Sequence, residues 1–80
     1  MKKRIYVKEI KSSVINTVFW ISENNKEILK IHFNTGSIWE YENVPLTLFF
    51  KLIRSKSPGK YFNENIRNIY HGHKVESVLV

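Results

Sequence analysis

Glu27-Ile28-Leu29-Lys30-Ile31-His32-Phe33-Asn34-Thr35-Gly36-Ser37-Ile38-Trp39-Glu40-Tyr41-Glu42-Asn43 alternates twice around a single glycine. In an extended chain Leu29, Ile31 and Phe33 share one face while Lys30 and His32 take the other, which is the period of a half-buried strand. Gly36 can adopt the positive φ of a tight turn. Beyond it Trp39 and Tyr41 point one way, and Ile38, Glu40 and Glu42 the other. Two antiparallel strands follow, with an apolar face that something else must cover. Because Glu40 and Glu42 suit the solvent side, Trp39 and Tyr41 are expected to face inward.

Upstream, the β-branched and aromatic run Ile15 to Ile21 reads as a further strand, buried on both faces or central in a sheet. Ser22 to Lys26 is the turn that joins it to the hairpin, and a three-stranded meander results. Lys3 to Ile10 alternates loosely and suits an extended arm. Downstream, Val44-Pro45 changes the period: Leu46, Phe49, Phe50 and Ile53 form a helical stripe over roughly residues 46 to 54. Ser57-Pro58 predicts a second helix, with the Ser57 hydroxyl as cap for the Lys60 N–H. Phe62, Ile66, Ile69 and Tyr70 are its packing side, and Gly72 is its expected end. Val75 to Val80 is apolar enough for a last strand or docked tail that pairs with the arm. The expected fold class is therefore α+β, a three-stranded antiparallel meander packed by two short C-terminal helices, with arm and tail available as extra strands.

Eighty residues make one domain, 1–80, with limited capacity for burial. The aromatic fraction of 14% must supply much of its core. The absence of cysteine rules out thiolate zinc sites, thiol nucleophiles and disulfide frameworks, and fits a cytoplasmic setting. Lys8, Glu9 and Lys11 interrupt what a secretory signal would need as an apolar stretch. The cluster from Leu46 to Ile53 is far shorter than the roughly 20 residues of a membrane span, so no membrane partner is expected.

The net charge of +6 is unevenly spread. Lys2, Lys3, Arg4, Lys8 and Lys11 load the arm, and Lys51, Arg54, Lys56, Lys60, Arg67 and Lys74 load the C-terminal half. Such a distribution attracts phosphate-bearing partners. The stretch Ser57 to Arg67 concentrates candidates. A helix start near Pro58 offers free N–H groups, Gly59 permits close approach by a ligand oxygen, Lys60 adds a point charge, and Arg67 a two-pronged donor. Asn63 lies between them, unless it serves the scaffold, and Arg67 has Glu64 and Glu42 as alternative partners. Tyr61 and Tyr70 are candidates for contacts at this basic surface, and Trp39 and Tyr41 for base stacking if exposed. No P-loop is present. His71 and His73 alone make a weak metal set, so no metal and no cofactor is expected. Neither Ser57 nor Ser77 sits in a nucleophile motif, and the Glu40 and Glu42 pair lacks the cleft that glycoside hydrolysis needs. Enzyme activity is not expected.

Ser12-Ser13, Phe33-Asn34-Thr35-Gly36-Ser37, Trp39-Glu40-Tyr41, Val44-Pro45 and Ser57-Pro58-Gly59-Lys60-Tyr61-Phe62-Asn63, followed by Ile66-Arg67 and Tyr70, together resemble the KTSC domain. That family is known as a C-terminal module of some lysyl-tRNA synthetases and as free-standing small bacterial or phage proteins. The resemblance covers about residues 12–70 and leaves 1–11 as an arm and 71–80 as a tail. Trp39 stands where the family more usually has Tyr, which keeps a stacking surface without the phenolic hydroxyl. The resemblance implies RNA binding only through the family's attachment to a synthetase.

The expected function is thus a small non-catalytic nucleic-acid-binding module, for RNA above all. Lys51, Arg54, Lys56, Gly59, Lys60, Tyr61, Asn63 and Arg67 are its anion-binding residues, and Trp39 and Tyr41 its stacking candidates. One alternative is a protein-interaction module that docks an acidic partner or pairs an edge strand, including self-pairing into a homodimer through arm or tail. Another is a binder of a small phosphorylated ligand near Pro58.

Overall fold

The structure, a computed structural model, describes residues 2–75. Strands β1 (Lys3–Glu9), β2 (Ile15–Glu23), β3 (Lys26–Phe33) and β4 (Ile38–Glu42) precede helix α1 (Leu46–Arg54) and helix α2 (Pro58–Phe62). A π-helical segment (Asn63–Arg67) continues α2, and β5 (Gly72–Val75) closes the chain. All five strands are antiparallel neighbours in the order β1-β2-β3-β4-β5. The expected three-stranded meander is therefore the middle of a five-stranded sheet, and the arm supplies one edge. β5 pairs with β4 at the opposite edge, and of the tail expected to pair with the arm only Val75 is among the described residues. Residues beyond Val75 lie outside the described residues.

Local chemistry explains each connection. Asn24 and Asn25 both take positive φ, 53° and 65°, the signature of a two-residue hairpin turn with the sheet's own twist. Gly36 does the same job between β3 and β4 at φ 96°. Ser12 organises the β1–β2 corner: its hydroxyl accepts from the N–H groups of Val14 (3.2 Å) and Ile15 (2.8 Å). The Asn34 amide donates to the Ser12 carbonyl at 2.8 Å, which ties the second hairpin to that corner.

One sheet face carries the core. Ile15, Val18 and Trp20 of β2, Leu29 and Ile31 of β3 and Tyr41 of β4 are buried beneath Phe49 and Leu52 of α1, Phe62 of α2 and Ile66. Trp20 satisfies its indole N–H on the Val44 carbonyl at 2.8 Å, which anchors the approach to α1. Pro45 sits just outside α1, at φ −71° and ψ 153°. β2 lies inside the sheet between β1 and β3 and is not buried on both faces, since Phe19 and Ile21 on its other face are half-buried. No helix among the described residues is long and apolar enough to cross a membrane.

Three local expectations are corrected. The Ser57 side chain makes no cap bond; the Ser57 carbonyl accepts from the Tyr61 N–H at 3.0 Å, and the Ser57 N–H donates to the Ser55 hydroxyl at 3.1 Å. The helical run ends at Arg67, so Gly72 opens β5 instead of ending a helix. Ile69 is 64% exposed rather than packed, because a π-helical turn closes i→i+5 hydrogen bonds and shifts the face that later residues present.

Candidate nucleic-acid interface

Trp39 and Tyr41 point to the helix-bearing face, as β4's alternation requires. Tyr41 is buried, and its ring packs edge-on against Phe62 with centroids 5.4 Å apart. The Tyr41 ring also lies across β5, where its cross-strand neighbour is Gly72. A Cβ at Gly72 would fall inside the Tyr41 ring, so the missing side chain is what lets the ring lie flat there. Trp39 stacks on Tyr41 at 19° and 6.2 Å, is half-buried, and pairs across the strands with Lys74.

These rings form one wall of a cleft of about 580 Å³, within the size range of small-molecule sites. Its opposite side is the π-helical segment, which brings Asn63, Arg67 and Asn68 against the aromatic wall, while Thr35 and Ser37 of the β3–β4 turn close one end. Among the described residues no carboxylate lines it. Arg67 donates to the Asn63 side-chain oxygen at 3.4 Å, and among the described residues neither Glu64 nor Glu42 pairs with it. Burial pushes the Tyr41 phenol above its ordinary range, and the nearby Arg67 charge pulls it partly back.

A second depression adjoins the cleft and shares Val14 and Asn63 with it. Lys56, Lys60 and Pro58 line it, together with Ser12 and Ser13, but so does Glu64. Gly59 lies here, yet its open side is filled: a Cβ would meet Val14 at 3.2 Å. Its role is close packing of α2 on the β1–β2 corner rather than room for a ligand oxygen. With Glu64 beside the lysines and a helix of five residues, the start of α2 is the poorer place for an anion.

The expected basic set is thereby divided. Lys56, Lys60, Asn63 and Arg67 gather at two adjoining depressions, whereas the exposed Lys51 and Arg54 of α1 line neither. Tyr61 is half-buried against the core and also lines neither, as does Tyr70. Thr35, Ser37 and Asn68 line the cleft without having been expected there, and Lys74 pairs with Trp39 across the strands. Their signal was weak: Thr35 and Ser37 read as turn residues, and Lys74 is placed beside Trp39 only by the β4–β5 register.

The other sheet face carries different chemistry. Glu40 bridges Lys30 (3.5 Å) and His73 (3.4 Å), and Glu42 lies 4.0 Å from both His71 and His73. The histidines thus have carboxylate neighbours that their sequence context did not reveal. Among the described residues, however, no group of three such side chains is placed to hold a metal ion.

A five-stranded antiparallel sheet with two short helices on one face, and an aromatic strand beside a π-helical turn, defines a small α+β domain. The chain belongs to the KTSC domain family, whose model matches residues 11–70. That span holds β2 to β4 and the helices, so both sheet edges lie outside it. The crystal structure of a KTSC domain protein from Yersinia pestis superimposes with a TM-score of 0.78 at 20% identity, covering 91% of this chain and 100% of that one. At that identity the likeness establishes the fold. No curated protein matches the sequence.

Proposed function

We propose that the domain is a non-catalytic binder of single-stranded nucleic acid, RNA in the first instance, and that the Trp39–Arg67 cleft is its centre. The observation that carries this reading is the composition of the cleft. A half-buried indole, a guanidinium and two side-chain amides meet in one concavity, with no carboxylate among the described residues that line it. Aromatic faces stack bases, amides read base edges, and arginine or lysine engages phosphate.

Charge placement supports the same side. On the helix-bearing face stand Arg4 and Lys8 of β1, Lys51 and Arg54 of α1, then Lys56, Lys60, Arg67 and Lys74. Glu9, Glu23, Glu40 and Glu42 alternate onto the opposite face with Lys3, Lys26 and Lys30, while Glu27 and Glu64 are the acidic residues on the first. The surplus of positive charge therefore lies on the first face, which draws a polyanion more strongly than the second.

The test is anisotropy titration of a labelled single-stranded RNA and of a duplex of the same length, across a salt series. The expected result is preference for the single strand, affinity that falls steeply with salt, and weakening of about tenfold in Arg67→Gln. Equal affinity for duplex, or an unchanged Arg67→Gln, would overturn the assignment of the cleft.

A protein-interaction reading has one observation of its own. β1 is an edge strand whose Ile5 and Val7 are each 54% exposed on the face away from the helices. Its lysines and Arg4 oppose edge pairing with a second copy, which leaves the cleft as the better supported site.

A further inference from the structure

The division of the basic residues leaves an organised cluster outside the cleft. Arg4 and Tyr6 of β1 lie on the helix-bearing face, opposite Ser22 and Trp20. Tyr6 meets Phe50 of α1 edge-on, at 81° and 5.8 Å. A guanidinium closes each end of this aromatic pair. The Arg4 Cζ lies 5.7 Å from the Tyr6 ring and 5.5 Å from the Trp20 ring, and the Arg54 Cζ lies 5.4 Å from the Phe50 ring.

Stacking fixes a guanidinium without consuming the N–H donors on its edge. Arg4 uses one donor on the Tyr6 hydroxyl at 3.2 Å, and among the described residues Arg54 makes no side-chain hydrogen bond. Neither arginine has a carboxylate partner among those residues, although the same structure pairs Lys3, Lys11 and Lys30. Two exposed guanidinium groups held in place and left without counter-charge suit phosphate oxygens, which arginine engages with paired donors.

We propose that Arg4 and Arg54 form a second phosphate-binding station, on the β1–α1 edge, for the same single strand whose base enters the Trp39 cleft. This rests on the reading of the cleft given above. β1 and β4 lie three strand spacings apart, about 14 Å. The register sets Trp39 level with Lys8, four residues along β1 from Arg4, about 13 Å more. A dinucleotide therefore reaches only one station, whereas a longer strand spans both. The ligand class becomes a single strand of minimum length rather than a mononucleotide.

The test uses the full chain with diuridylate and with an oligouridine of about sixteen nucleotides, the upper end of known single-strand site sizes. In Arg4→Gln/Arg54→Gln the longer oligonucleotide should bind at least tenfold more weakly, with a salt slope reduced by about 0.7 per arginine lost. The shorter one should bind as it does to the wild type. Should the double variant fail to fold, the exposed Arg54→Gln alone should show half the slope change. An unchanged slope with the longer oligonucleotide, while Arg67→Gln still weakens both, would overturn the second station and leave the cleft standing. A lowered melting temperature without a slope change would assign the arginines to packing and overturn it equally. Failure of both oligonucleotides to bind the wild type would overturn the cleft reading, and this inference with it.

Discussion

Gly72 is where backbone, packing and site meet. The ring of Tyr41 occupies the space a side chain at Gly72 would need, and on that ring Trp39 stacks. Gly72→Ala should therefore destabilise the domain by about 1–3 kcal/mol, as overpacking does. A thermal melt should show this as a drop of several degrees, about 4–8 °C per kcal/mol for a domain of this size. Tyr41 also reports on Arg67. Its phenol is raised by burial and held back by the Arg67 charge. Arg67→Gln removes only the second effect, so the Tyr41 titration followed by ultraviolet absorbance should move further up. A downward move would place Arg67 elsewhere.

The π-helical segment decides how the second half of the site is built. It sets Asn63, Arg67 and Asn68 along the cleft, and the Asn65 amide donates to the Tyr61 carbonyl at 3.1 Å within it. Asn65→Ala should cost about 1 kcal/mol, and hydrogen exchange should show faster opening of residues 61–67 than of β2 and β3. This element was also the hardest to see in the sequence. Leu29, Ile31, Phe33, Trp39 and Tyr41 announce their strand faces by simple alternation, and Leu46 to Arg54 keeps a steady helical period. In Asn63–Arg67 one turn is wider than that period, so Ile69, placed on the core stripe by counting, is exposed. Gly72 reads as a helix end for the same reason that it works in β5: it lacks a side chain. Only the β4–β5 register shows which use the fold makes of it.

At the scale of the molecule, the sheet separates two chemistries. Helices, aromatic cleft and much of the positive charge share one face, while Glu40, Glu42, His71 and His73 share the other. The individual charges were legible in the sequence, but their sorting was not, because Lys74 follows from strand pairing and Arg54 from where α1 lies. His32 gives this second face an acid sensitivity. Burial first, and the Lys30 charge second, hold its imidazole below the ordinary histidine value. The fold thus favours neutral His32, and stability falls as pH drops through that value and the unfolded chain takes up the proton. Between about pH 8 and pH 5, wild type should lose more melting temperature than His32→Gln.

The central claim is that Trp39 receives a base in the cleft. The two indoles allow it to be tested directly, because Trp20 is buried at 1% exposure with its N–H bonded to Val44, while Trp39 is half-buried at the cleft. Tryptophan emission is titrated with an oligouridine at low salt, in wild type and in Trp39→Phe, whose remaining Trp20 signal confirms folding. The account predicts saturable quenching in wild type that is lost in Trp39→Phe and diminished in Arg67→Gln. Emission that does not change on titration, or quenching that persists in Trp39→Phe, would contradict it.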